Sequence, residues 1–205
     1  MTSAHFPPCT PDRAKYLHPV REFGSSSLSL AGSLLIAHPT LLDPNFRKSV
    51  LLLSASDAQD GAFGLTLNRP AGSTVGELLA DPTLGHLAQV PVFVGGPVAT
   101  DQLIFASFKW HPEAQFLECH HHLVIEEAKD AIRDETLVVR AFVGYAGWSK
   151  GQLEGELAQR AWLVQKSDPT VLDLERCPVL WRDLTSSFGP WYRLAAEAPE
   201  DLSRN

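Results

Sequence analysis

Residues 140–162 read Arg-Ala-Phe-Val-Gly-Tyr-Ala-Gly-Trp-Ser-Lys-Gly-Gln-Leu-Glu-Gly-Glu-Leu-Ala-Gln-Arg-Ala-Trp, and their periodicity decides the fold class. Leu137, Val139, Ala141, Val143 and Tyr145 share one face of a period-2 run, with Val138 and Phe142 on the other. Apolar residues on both faces are the pattern of a strand covered on both sides. Gly144 and Gly147 permit a bend where a bulkier residue would be strained. Ser149 followed three residues later by Gln152 reads as a capping box with Ser149 as N-cap. Leu153 and Leu157 then supply the i, i+4 apolar stripe of a helix. Strand, glycine turn and helix are therefore expected in that order.

Upstream, Ser33–Ala37 and the apolar run 50–53 read as short strands, with a polar connection at 57–61. In the run 62–67, Phe63, Leu65 and Leu67 oppose a face of small residues, which lets another backbone come close. Arg69-Pro70 should end that strand, because proline restricts its predecessor and offers no N–H. Thr74 with Glu77 marks a helix start; 91–94, 103–108 and 119–125 read as strands, and 126–133 as a helix. Downstream, 161–165 reads as a strand and 178–184 as a helix. Strands and helices without regular βαβ alternation indicate an α+β domain. The expected division is a flexible tail at 1–31, rich in Pro and Ser, one domain at 32–194, and a short tail at 195–205.

The 205 residues suffice for one sizeable core, and 44% hydrophobic with 20% charged residues is a globular composition. A net charge of −7 argues against a non-specific grip on nucleic acid, and no apolar run is long enough for a membrane span. Three widely spaced cysteines (Cys9, Cys119, Cys177) form no disulfide framework. With no signal-peptide core at the N-terminus, a cytoplasmic location is expected. Neither a dinucleotide fingerprint nor a P-loop occurs, and no cofactor is expected.

Four motifs occur in sequence: Asp43-Pro44-Asn45-Phe46, then Gly64-Leu65-Thr66-Leu67-Asn68-Arg69-Pro70, then Gly95-Gly96-Pro97-Val98. The last is Gly144-Tyr145-Ala146-Gly147-Trp148 with Gly151-Gln152-Leu153-Glu154. Together they resemble the YqgE/AlgH family of small bacterial proteins over about residues 32–184. The resemblance implies a single α+β domain whose mixed sheets curve into a partly closed, barrel-like core with helices packed outside. One branch of that family carries a transcriptional-regulator label, which rests on genetics and implies no DNA-binding motif. The long N-terminal segment and the run Cys119-His120-His121-His122 depart from the family pattern.

The positions that the motifs single out are Asn68, Arg69, Gly95, Gly96, Tyr145, Trp148, Gln152 and Glu156. Converging strand ends would make them a cleft for a small polar ligand or a protein partner. A hydrogen-bond network that merely holds loops together is the alternative. Gly147-Trp148-Ser149-Lys150-Gly151 matches the nucleophile-elbow pattern, yet no histidine follows His122 to serve as base, and a cap accounts for Ser149. No catalytic residue is assigned. An anion at this helix start would need Arg69, Arg47 or Lys150 to offset Glu154 and Glu156. A thiol-dependent enzyme is a second reading: Cys177 precedes Pro178 at a helix start, where the dipole would lower its pKa, and Cys119 is the other thiol. Alternation along a strand allows only Cys119 with His121, or His120 with His122, to share an ion, so no metal site is assigned.

Overall fold

A computed structural model of the chain describes residues 30–57 and 61–198. Most of the tail expected at 1–31 lies outside these residues, as does 199–205. The strands are β1 (Ser33–Ala37), β2 (Val50–Asp57), β3 (Gly61–Thr66), β4 (Pro70–Thr74), β5 (Pro91–Val94), β6 (Val98–His111), β7 (Phe116–Leu123), β8 (Leu137–Trp148) and β9 (Trp162–Lys166). The helices are α1 (Val75–Leu79), α2 (Ile125–Ala131), α3 (Gln152–Ala158), α4 (Cys177–Ser186) and α5 (Pro190–Glu197). None of them is long and apolar enough to cross a membrane.

β8, the strand predicted from 137–145, is the spine of the sheet. It pairs antiparallel with β6 along most of its length, from Leu137 opposite Lys109 to Val143 opposite Leu103. It also pairs parallel with β5 at residues 141–143 and antiparallel with β3 at 146–148. The path β4-β5-β8-β3-β2-β1-β9, with β6 and β7 branching from β8, makes one nine-stranded mixed sheet.

The sheet does not close into a barrel, so the strand pairing supports the α+β class but not the partly closed, barrel-like core implied by the family resemblance. Among the described residues, β7 pairs with β6 alone. It meets the first strands through side chains: Ser167 Oγ accepts from Leu117 N at 3.3 Å and donates to Gly32 O at 2.8 Å, and Ser54 Oγ donates to Cys119 O at 3.3 Å. Single hydroxyls hold these edges together where a barrel would need a backbone ladder.

Both faces of β8 are covered, as its sequence requires. Phe142 joins Phe93, Phe108 and the leucines of β1 and β2 in the larger core, which Leu180, Trp181 and Leu184 of α4 close. Val139 and Ala141 face a smaller core with Val75, Leu84, Leu87, Val92, Phe105 and Ala128, beneath α1, α2 and a 3-10 segment at Pro82–Gln89. Glu77 caps α1 as expected, its carboxylate accepting from Thr74 N at 2.7 Å. The chain re-enters the sheet at Pro70 as the edge strand β4, where a residue without N–H costs no ladder bond.

Candidate functional site

Asn68 and Arg69 hold the 43–48 loop. The Asn68 side chain accepts from Val50 N at 2.8 Å and donates to Lys48 O at 2.9 Å, so it substitutes for a strand partner where β2 begins. The Arg69 guanidinium donates to Asn45 O at 2.5 Å and Arg47 O at 2.7 Å. Burial and the nearby Arg47 charge press its pKa downward. The loop so fixed carries Phe46, whose ring lies 6.3 Å from Trp148 (stacked) and 5.4 Å from Trp162 (edge-on).

Those two tryptophans converge on Glu156. One carboxylate oxygen accepts from Trp148 Nε1 at 2.9 Å and from Trp162 Nε1 at 2.7 Å; the other accepts from Gln152 Nε2 at 3.0 Å. The arrangement follows from local sequence: Gln152 and Glu156 are one helical turn apart on α3, and Trp148 and Trp162 flank that helix. Ser149 is not the N-cap. That position belongs to Gly151 at φ 76°, a left-handed turn open to glycine, and α3 starts at Gln152. The reciprocal half of the box does form, with Ser149 N donating to Gln152 Oε1 at 3.1 Å.

Gly95 and Gly96 sit where β5 gives way to β3 along β8. Gly95 N donates to Val143 O at 2.9 Å, and Gly95 O accepts both Thr66 N and Thr66 Oγ1 at 3.0 Å. A methyl group on Gly95 would lie 2.2 Å from Gly144 O, and one on Gly96 2.3 Å from the Tyr145 carbonyl carbon. Backbones cross here at a separation that no side chain fits. Tyr145 itself stacks on Phe63 at 4.8 Å, and Phe63 on His121 at 4.2 Å.

The singled-out residues thus fall into two adjoining groups: the Asn68–Arg69–Phe46–Trp148–Glu156–Gln152 chain of contacts, and the Gly95–Gly96–Tyr145 crossing. Trp148, Gln152 and Glu156 are bonded to one another, whereas Asn68 and Arg69 are bonded to the backbone of residues 45–50. A groove of about 580 Å³ elsewhere, lined by Leu79, Leu103, Phe105 and Ile125 among others, includes none of them.

Sequence reading passed over Arg140. It is the largest fully buried side chain, 1% exposed, on the Phe142 face of β8. Nη1 donates to Leu67 O at 3.0 Å, Nη2 to Leu172 O at 2.7 Å, and the guanidinium lies 4.2 Å over the Phe93 ring. Burial pushes its pKa down to about 10. A cation flanked by strand-type apolar residues was the available signal. Cys177 lies in the same region, its thiol 3.7 Å from Leu67 O. Burial raises its pKa despite Arg140, opposite to the lowering that the thiol-dependent second reading needs. Burial pushes Cys119 up to about 12.

The histidine run also departs from expectation. β7 carries a bulge: Phe105 pairs with Leu123 and Ala106 with His121, leaving His122 without a partner residue in the ladder. His122 adopts φ 59°, and its Nδ1 comes within 2.6 Å of His121 Nδ1. Alternation would have sent these neighbours to opposite faces; the bulge cancels it. Burial lowers the pKa of both, His121 to about 4. His120 pairs instead with Glu118 at 3.0 Å, which also holds His111 at 2.8 Å.

A family model described as AlgH-like (DUF179) matches residues 34–193. A UPF0301 protein of Streptomyces coelicolor is 34% identical over 194 residues, covering 86% of this chain and 96% of its own. One from Pseudoalteromonas translucida is 33% identical over 171 residues, with 78% and 92% covered. Among solved structures, the solution structure of AlgH from Pseudomonas aeruginosa superposes with a TM-score of 0.59 at 29% identity, covering 88% of this chain and all of that one. An X-ray structure of a Corynebacterium diphtheriae protein gives 0.62 at 19% identity, over 86% and 95%, a likeness of fold alone. By the span of the family model and the identity of these relatives, the chain belongs to the AlgH-like family.

Proposed function

We propose that the chain is a non-catalytic binding module whose recognition surface is the rim of the Trp148–Glu156 network and the adjoining Tyr145 shelf. It would receive a small polar molecule or a segment of a protein partner. The observation that supports this reading is that the polar groups of Asn68, Arg69 and Glu156 are each bonded within the protein. A catalytic centre needs a base or nucleophile held available to substrate, and these groups are instead used in holding loops rigid. Rigid loops that present an exposed edge are what a binding surface requires. Exposed Gln152, Gly147 and Pro97 and half-buried Tyr145 are the groups that would present such an edge. A thiol-dependent enzyme is the weaker reading, because both thiols are held above their ordinary value.

The test is a thermal-shift screen of the full chain against metabolites, nucleotides and short peptides. Gln152→Ala and Tyr145→Ala should each abolish the shift of a genuine hit. Circular dichroism of the unliganded variants should be unchanged. A hit that survives both substitutions would put recognition elsewhere and overturn the proposal.

A further inference from the structure

We propose that His121 and His122 form a two-nitrogen site for a divalent transition-metal ion at the bulge of β7. The site exists because of the bulge: with His122 outside the ladder and its φ at 59°, two consecutive side chains converge that a regular strand would separate. Their Nδ1 atoms stand 2.6 Å apart. At that separation there is room for one hydrogen between the two nitrogens, so one imidazole already directs its lone pair at the other.

An ion replacing that hydrogen needs only a small opening. Imidazole nitrogens bind zinc at about 2.0–2.1 Å, so two ligands of one tetrahedral ion stand about 3.3–3.4 Å apart. The His121 ring is fixed for the task by stacking on Phe63 at 4.2 Å and 23°. His122 lies against the same phenylalanine at 5.3 Å and against Tyr145 at 6.3 Å, so both rings are braced by one aromatic column.

The donor set selects the class of ion. Two imidazoles suit Cu²⁺, Ni²⁺ and Zn²⁺, whereas Ca²⁺ and Mg²⁺ require oxygen. Among the described residues no group of three or more His, Cys, Asp or Glu is placed to hold an ion. His120 offers an internal control, since its Nε2 is engaged by Glu118 at 3.0 Å.

The experiment uses the full chain with Zn²⁺ in calorimetry and Cu²⁺ in electron paramagnetic resonance. We expect one equivalent bound, with hyperfine coupling to two imidazole nitrogens. His122→Gln, at an exposed position, should weaken binding at least about tenfold. His121→Gln should do the same, and His120→Gln should bind as the parent does. Should His121→Gln fail to fold, His122→Gln decides alone. Absence of binding, full binding by His122→Gln, or an equal loss in His120→Gln would overturn the site.

Discussion

Glu156 is the residue whose removal has the most calculable effect. Trp148 and Trp162 are 5% and 4% exposed, and both indole N–H groups end on its carboxylate. Glu156→Ala leaves two buried donors without an acceptor, at about 1–3 kcal/mol each, so a loss of about 2–6 kcal/mol is expected. The bond to Gln152 adds little, because that side chain is exposed and water replaces its partner. Glu156→Gln keeps an oxygen for the indoles but loses charge assistance, which should cost about 1 kcal/mol. The assay is urea unfolding followed by circular dichroism, with the midpoint compared at constant m-value. Trp162→Phe should cost less in the Glu156→Ala background than in the parent, since the orphaned N–H is then gone; a coupling of about 1–2 kcal/mol is expected. An Ala variant within about 0.5 kcal/mol of the parent, or a Gln variant as unstable as the Ala variant, would refute the reasoning.

Arg140→Ala should also be damaging, by about 3–5 kcal/mol, because it strips a donor from the buried Leu67 carbonyl and the half-buried Leu172 carbonyl and opens a cavity against Phe93; denaturant unfolding measures it. Gly95→Ala forces backbone apart at a 2.2 Å contact and should lower Tm by many degrees, whereas Gly155→Ala, with nothing within 4 Å on helix α3, should gain up to about 1 kcal/mol. In a Cys9→Ser background, alkylation of the native chain should rise with pH well beyond the ordinary thiol midpoint of about 8.5, since burial raises both remaining thiols. The linkage follows in sign: between the ordinary value and about 12, the unfolded chain releases the Cys119 proton while the folded one keeps it, so stability is lost as pH rises through that window.

Much of the fold was legible in the sequence because periodicity and burial are local signals. The strand at 137–145, the cap at Thr74–Glu77 and the strands at 33–37 and 91–94 came from alternation and punctuation alone, and they stand as β8, α1, β1 and β5. What escaped depended on tertiary context. Nothing local distinguishes Ser149 from Gly151 as the cap until φ at Gly151 is known. Arg140 is polar by type and becomes core only because the Leu67 and Leu172 carbonyls arrive from distant segments. The convergence of His121 and His122 needed a bulge that the partner strand imposes. Of the candidate site, only the residues to consider were readable from motifs. The ties among Asn68, Arg69, Phe46 and Glu156 were not, since they join segments that the chain separates widely.

The position of β8 late in the chain has a consequence for synthesis. β2 with β3, β4 with β5, and β6 with β7 each make an antiparallel pair, and one member of every pair waits for β8 on its open edge. As the ribosome works toward residue 148, a three-stranded β1–β2–β3 meander and two two-stranded ribbons therefore leave the tunnel, each with unsatisfied backbone donors on the edge that β8 takes. Until β8 emerges, those open edges are the ones most exposed to misassembly.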